Sequence, residues 1–527
     1  MQVQSMHFKA RAGEKLADAR LQENLGRLST KFVSGRAEAI TQIDFVATRA
    51  ELKARRNRAL ERLDVWLEMF EREATRRGTT VLYAETTGDA ATLIADIARR
   101  HGVKKVVKTK SMVTEEANLN AVLGRLGVQS IETDLGEYIL QINDNEPPSH
   151  IIAPVLHRDK EEVATLFAKT HGRPRLTEIA EMTREAREVL RPHFLSADMG
   201  VTGGNFVIAE TGSVVLVTNE GNEGMCTVLP RVHVAVTGIE KVLPTLEDLA
   251  TAMRLLPRSA TGQKTSNYFS LLTGARGDGD EDGPEHAYVV LVDGGRSGLI
   301  GGEFQEMLRC IRCGACMNHC PVYQKVGGHA YGWVYPGPMG SVLTPSYVGL
   351  GNALDFAAGG DALRRVRQRL PGRHPDFGLA AQAAREAGRA APAAVARARG
   401  ARRVGLLRAA AGAVRARDEA RGSRARAGGR RAGWRGGRVR TLAVRARLDS
   451  RLDRYARHPG ARRPDVPRAV RSVAHASRSV LDALIRRRAS ASRSPARAGG
   501  AQVAPRLFIE RQHCVRYSWI YLDRCGL

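Results

Sequence analysis

Hydrophobic positions divide the chain into a helical opening, an alternating middle and a final third without periodicity. Over residues 51–77, Leu52, Leu60, Leu63, Leu67 and Phe70 recur at the spacing of one helix face, and Trp66 and Met69 widen the stripe. This predicts helix through residues 1–77, packed on whatever follows. From residue 78 short β-branched runs alternate with helical ones. Strands are expected at 79–84, 104–108 and 128–133. Helices are expected at 88–100, where Ala91, Leu93, Ile94 and Ile97 share a face, and at 114–126. Thr114, with Glu115 and Glu116 behind it, reads as the cap and acidic first turn of the second of these. Such alternation argues for an α/β fold with a mostly parallel sheet covered on both faces.

Near residue 200 the chain turns glycine-rich. Two polar Gly loops, 202–213 and 218–222, bracket the apolar run 214–217, which builds one end of a sheet, where α/β proteins place ligands. Glu210, Asn205, Asn219 and Glu220 are the candidate catalytic groups there; they read equally well as turn residues satisfying backbone bonds. Residues 231–236 alternate as a strand, in which His233 reads as a hydrogen-bonded sheet histidine rather than a catalyst. Residues 260–265 end like a phosphate loop but lack its first glycine. After residues 289–293, Gly294, Gly295 and Gly298 break the G-x-G-x-x-G register. Both read as loops.

Composition changes the picture only when it is divided. The net charge of +27 suggests a polyanion partner, yet residues 357–527 hold 41 Arg, no Lys and 11 acidic residues, or +30. Residues 1–356 are left at −3, an ordinary slightly acidic protein. The opening stretch has no apolar core of a secretory leader, and no run approaches the roughly 18 apolar residues of a membrane helix. A cytoplasmic protein with reduced cysteines is expected.

Four of the seven cysteines lie in one run, Cys310-Ile-Arg-Cys313-Gly-Ala-Cys316-Met-Asn-His-Cys320-Pro321. The spacing C-x2-C-x2-C-x3-C-P is that of bacterial ferredoxins, which hold iron–sulfur clusters through thiolates. Three cysteines in x2 register wrap one loop around a cubane, and Gly314 permits the tight turn. Pro321 redirects the chain after the fourth thiolate. A zinc site prefers two separated C-x2-C pairs, and a disulfide pair suits secreted chains. Cys310, Cys313, Cys316 and Cys320 are therefore expected to bind a 4Fe–4S cofactor. Cys226 reads as a small buried hydrophobe rather than a site residue.

Several of these segments together resemble one family. Residues 108–116, 132–137, 148–150, the 202–222 block and Leu229-Pro-Arg-Val-His233 look like the lactate-utilisation domain. Followed by the cysteine run and by His329-Ala-Tyr-Gly-Trp-Val-Tyr-Pro-Gly-Pro-Met-Gly-Ser341, they resemble the iron–sulfur subunit of the bacterial L-lactate oxidation system. The resemblance covers about residues 10–356. It implies a sugar-isomerase/CoA-transferase-like α/β fold, then a ferredoxin-like segment with two 4Fe–4S clusters. It also implies a cytosolic complex with two partner subunits that oxidises L-lactate to pyruvate and passes electrons to an unknown acceptor. Carried over by residue, Cys310, Cys313 and Cys316 would ligate one cluster and Cys320 the other.

The family pattern expects a second cysteine run shortly after Asn352-Ala-Leu-Asp-Phe356. Here the chain becomes Arg/Ala/Gly-rich instead, lysine never returns after Lys325, and only Cys514 and Cys525 remain, at no ligand spacing. A shifted reading frame in GC-rich coding sequence accounts for the change at one point. A basic nucleic-acid-binding tail and a natural disordered linker are the alternatives. The expected division is a helical region at 1–77, a lactate-utilisation-type α/β domain at 78–300, half of a ferredoxin-like segment at 301–356, and a largely disordered tail at 357–527. An electron-transfer subunit of lactate oxidation, impaired by its missing cysteines, is the first functional expectation. An isomerase- or acyl/CoA-transferase-like enzyme at the Gly loops is the second, and a protein binding nucleic acid through its tail the third.

Overall fold

The computed structural model describes residues 3–353 and Asp355; the expectations for residues 357–527 lie outside the described residues. Ten strands are described: β1 Thr79–Ala84, β2 Lys105–Lys108, β3 Gln129–Glu132, β4 Met199–Thr202, β5 Phe206–Ile208, β6 Ser213–Thr218, β7 Val232–Gly238, β8 Val242–Leu243, β9 Tyr268–Leu272 and β10 His286–Val292. Six form a wholly parallel sheet in the order β1-β10-β7-β4-β2-β3, and four form a smaller mixed sheet in the order β8-β5-β6-β9. This is the α/β architecture that the alternating pattern predicts.

Both faces of the sheet are buried at its centre, so β7 and β10 are apolar almost throughout. On β10, Val290 and Val292 point into one core with Ile94 and Ile97 of the helix Thr87–Arg100. Val289 and Leu291 point into the opposite core, shared with the N-terminal helices and the cysteine segment. β7 lies between β10 and β4 and is buried at every position, so the strand expected over 231–236 is a central one. Helices Lys160–His171 and Ile179–Leu195 close a third core around Phe167, Leu190 and Phe194.

Two expected helices are each divided. The 51–77 stretch runs as Phe45–Glu61 and Leu63–Arg76, parted at Arg62 (φ −130°, ψ 42°). The break lets Leu52 and Leu60 bury from one segment and Leu67 and Phe70 from the next. The 114–126 stretch runs as Met112–Glu116 and Leu119–Gly124, with Asn118 in the left-handed region between them (φ 49°), a conformation asparagine tolerates. Its cap is Ser111, whose Oγ accepts from the Thr114 amide at 3.4 Å, rather than Thr114 itself.

The cysteine segment is built into the body. Gln22 of the helix Ala19–Ile40 donates through Nε2 to the Lys325 carbonyl at 2.6 Å, and Tyr323 Oη donates to the Ser149 carbonyl at 2.7 Å. Gly328 passes so close to Ser149 that a Cβ would stand 1.7 Å from its carbonyl oxygen. Among the described residues no helix is long and apolar enough to cross a membrane.

Candidate functional site

The 3-10 turn Gln305–Arg309 leads into the cysteine loop. Two left-handed residues fold that loop back on itself, Arg312 (φ 58°) and Gly314 (φ 73°). At Gly314 a side chain is strained by φ and crowded by Ile152 Cγ1, 3.0 Å from where a Cβ would be. Cys313, Cys316 and Cys320 are buried and Cys310 half-buried. Backbone amides face the sulfurs: Arg312 N lies 3.4 Å from Cys310 Sγ, and Tyr323 N lies 3.4 Å from Cys320 Sγ. The amides of Ala315 and Met339 approach Cys313 and Cys316. Burial pushes the Cys313 thiol up to about 12 and raises the Cys316 thiol well above its ordinary value, so in the bare protein these sulfurs stay protonated.

Behind the loop stand four cationic side chains, Arg56, Lys241, Arg296 and Arg312. The carboxylates in contact with them are Glu116 and Glu240. Arg296 reaches Glu116 at 2.7 Å and Glu240 at 2.8 Å, while Arg312 reaches Glu240 at 3.5 Å and stacks over Tyr335. Arg56 donates to the carbonyls of Val242, Glu240 and Leu308. Lys241 Nζ donates to the Cys310 carbonyl at 3.1 Å. Burial disfavours the charge on Glu240, but Arg296, Lys241 and Arg312 outweigh it and hold its pKa at about 2. Burial together with Arg312 lowers Lys241 to about 7. Cations outnumber carboxylates here, and a buried positive surplus suits an anionic group. Thiols aligned with amide donors beside such a surplus fit an iron–sulfur cluster held by thiolates.

A cavity of about 510 Å³ lies at the C-terminal ends of β2, β3, β4 and β7, and Glu240, Lys241, Arg296 and Arg312 of that charged cluster also line it. Lys110, Asp134, Gly204 and Thr237 line it from the sheet, and Ile311 and Arg312 line it from the cysteine loop. Lys110 Nζ bonds Asp134 at 3.0 Å and the Ile152 carbonyl at 3.1 Å, and Ile152 in turn rests on Gly314. Asn205, Asn219 and Glu220 also line the cavity. Asn205 Oδ1 accepts from the Val217 amide at 2.9 Å, and Asn219 bridges Gln263 and the Asn267 amide. Burial and neighbouring Asp134 push the Glu220 carboxyl up to about 8. Glu210 stands outside, exposed, its carboxylate accepting from the Leu246 amide at the start of the helix Leu246–Ala260.

Sequence reasoning missed Glu223. It is 6% exposed, lines the cavity, and has a carboxyl oxygen, Oε1, without a hydrogen-bond partner. Burial and Glu220 raise its pKa to about 8. It follows directly on the 218–222 loop, and nothing in the sequence marks its burial. His233 is the satisfied sheet histidine expected, with Nε2 2.9 Å from Thr202 Oγ1. Cys226 is fully buried against Thr133 Oγ1 at 3.4 Å. Glu146, His157 and His329 gather within 4.8 Å of one another. They bond Arg158, Ser149 and the Pro147 carbonyl, a polar joint where the cysteine segment meets the body.

Residues 67–292 match the family model of the LUD domain, and residues 306–354 match that of the 4Fe-4S dicluster domain. The second match supports an iron–sulfur cofactor. The chain is similar to Lactate utilization protein B of Lysinibacillus sphaericus (strain C3-41), at 45% identity over 346 residues, 66% of this chain and 73% of that protein. It is 50% identical over 290 residues to Lactate utilization protein B of Geobacillus kaustophilus (strain HTA426), and 51% identical over 290 residues to that of Shouchella clausii (strain KSM-K16). Each of these two matches covers 55% of this chain and 61% of the relative.

Proposed function

Because the chain belongs to the lactate utilization protein B family, we propose that it is an iron–sulfur electron-transfer subunit of a cytosolic complex that oxidises L-lactate to pyruvate. The observation that carries the reading is the cysteine loop itself, with amides directed at its sulfurs and more cations than carboxylates beside it. An iron–sulfur cluster, when bound, supplies one-electron transfer. Cys310, Cys313, Cys316 and Cys320 are the residues that would hold it. Arg56, Lys241 and Arg312 balance its negative charge, and Arg312 and Gly314 hold the loop shape. The two partner subunits and the electron acceptor follow from the resemblance and belong to the same proposal.

A cubane is held by four cysteine thiolates, and the fourth cysteine of a ferredoxin run serves a second cluster. This chain has one run, so it loads at most one cluster, incompletely ligated, and relays electrons poorly. A shifted reading frame beyond Phe356 explains the missing run, and a C-G-x-C-x-x-x-C-P run in another frame of the gene would support it. Finding no cysteine pairs in either alternative frame rules it out.

Anaerobic reconstitution with iron and sulfide tests the assignment. The chain should give a reducible iron–sulfur signal by electron paramagnetic resonance that Cys313→Ala and Cys316→Ala abolish. Metal analysis near roughly eight iron and eight sulfide per chain, the content of two clusters, contradicts the impairment. A colourless chain, or both variants matching the wild type, overturns the electron-transfer reading.

A second reading, an enzyme working at the Gly-rich loops, draws on Asn205, Asn219 and Glu220 sharing one cavity wall. Catalysis that survives Cys313→Ala and Cys316→Ala would favour it.

A further inference from the structure

Glu146, His157 and His329 meet where the cysteine segment docks on the body, and one ligand atom from each lies within 4.8 Å of the other two. Each side chain already commits one polar atom to the protein. Oε2 of Glu146 accepts from Arg158 Nη2 at 2.9 Å and from Asn143 Nδ2 at 2.9 Å, which leaves Oε1. His329 Nε2 lies 2.7 Å from the Pro147 carbonyl oxygen, which can only accept. Nε2 therefore carries the proton, and in the neutral ring Nδ1 keeps its lone pair. His157 Nδ1 lies 2.9 Å from Ser149 Oγ, whose own proton goes to the Pro154 carbonyl at 3.0 Å. That hydroxyl accepts from Nδ1–H, so the lone pair of His157 is on Nε2.

The atoms left over call for a cation. His157 Nε2 stands 3.0 Å from Glu146 Oε1 at an angle that makes no hydrogen bond, and its side chain is 9% exposed. A bare nitrogen and a carboxylate oxygen this close repel unless positive charge lies between them. Arg158 does not supply it, because its guanidinium sits on Oε2 and is shared with Glu162. Two imidazoles, each oriented by a hydrogen bond from its other ring nitrogen, and one carboxylate are the donor set of zinc sites with an open position. Magnesium and calcium take oxygen donors instead. Zinc–donor distances of about 2.0–2.2 Å put tetrahedral donors roughly 3.3 Å apart, so binding asks for at most about 1.5 Å of side-chain movement. We propose that Glu146, His157 and His329 form a site for a divalent ion of the zinc class, with water in the open position, that clips the cysteine segment to the α/β body.

The clip spans the seam between the two parts. His329 lies nine residues beyond Cys320, while Glu146 and His157 belong to the body. Next to His329, the Gly328 backbone passes over Ser149, the residue that orients His157. An ion bound only when these segments are docked favours the docked arrangement by mass action, with no cysteine among its ligands. The site stands independently of the lactate-oxidation reading.

Zinc chloride is the probe, and the cysteine thiols are the competitor to control. The full chain, reconstituted anaerobically with iron and sulfide and cleared of loose metal by a chelator, is titrated by calorimetry. The wild type should bind zinc at the triad tighter than about 1 μM, and its melting temperature should rise. His157→Ala and His329→Ala should weaken that binding by more than about 100-fold, and Ser149→Ala, which frees the His157 ring, roughly tenfold. Glu146→Gln, nearly the same shape, should weaken it at least about tenfold and stands in wherever a histidine variant fails to melt cooperatively. Cobalt(II) gives a second readout. The wild-type spectrum minus that of His329→Ala should show ligand-field bands without a thiolate-to-metal charge-transfer band. The inference is overturned by a folded wild type that binds no more zinc than these variants do, by a thiolate band in the difference spectrum, or by magnesium binding there as tightly as zinc. A chain that loads an iron–sulfur centre but takes no zinc at the triad refutes the clip alone. A chain that takes zinc there but loads no centre refutes the electron-relay reading alone.

Discussion

Lys108 Nζ and Glu132 Oε1 stand 2.8 Å apart at the adjoining ends of β2 and β3, and neither side chain exposes more than 5% of its surface. Glu115 at 3.2 Å and Glu137 at 4.0 Å complete the ring of acids. Burial alone would depress the lysine, but Glu132, Glu115 and Glu137 hold its pKa well above the ordinary range. Burial and repulsion from Glu132 raise Glu137 in turn. Lys108→Met strands these carboxyls without a cation and should cost about 3–5 kcal/mol, read as a lower urea midpoint with unchanged slope. A loss near zero would mean that the acids are already neutral.

The close pass of Gly328 over Ser149 predicts that Gly328→Ala is severe although the change adds one methyl. Overpacking against a backbone carbonyl costs typically about 1–3 kcal/mol, and here the contact is between two chain segments that cannot give independently. Limited proteolysis should cut the variant near residues 320–335 before the α/β body opens. Cleavage kinetics equal to the wild type would show that the docking is looser than the geometry implies.

Acid should weaken the fold through His233. Burial lowers its pKa from 6.5 to about 4, so the unfolded chain takes up the proton first as pH falls. Stability from this group is therefore complete above pH 6.5 and is lost between 6.5 and 4, the loss approaching roughly 3 kcal/mol near the lower end. Melting temperatures at pH 7 and pH 5 should differ less in His233→Gln than in the wild type. Equal differences would assign the acid sensitivity to other groups, His150 and His329 first.

Any affinity for nucleic acid should reside in residues 357–527, which carry the whole positive excess. A chain ended at residue 356 should lose it while keeping its melting transition. The binding of the full chain should fall steeply with salt, as counterion release requires. Salt-independent binding, or binding by the shortened chain, would locate the interaction elsewhere.

Local pattern made much of this legible. The strand at 79–84 and the parallel sheet came from β-branched runs and strand–helix alternation, because burial on both faces demands continuous apolar stretches. The cysteine loop was legible because ligand spacing is itself local. The breaks at Arg62 and Asn118 were not, since each serves packing against residues distant in sequence. Glu220 could be named from its loop, but Glu223 could not. Its significance lies in burial and in an oxygen left without a partner, both tertiary properties. Glu210 read like its neighbours and proves to serve a helix start, a contact made 36 residues away.

Gln22 bonded to Lys325, and Gln4 to Gly332, tie the first helices to the last described segment. During synthesis the leading residues leave the ribosome some 300 positions ahead of their partners. They must wait, with Leu21 and Leu25 uncovered, until the cysteine loop emerges. Completion of the fold is thus timed by the cysteine segment, and the arginine-rich sequence beyond residue 356 follows directly behind it as the fold closes.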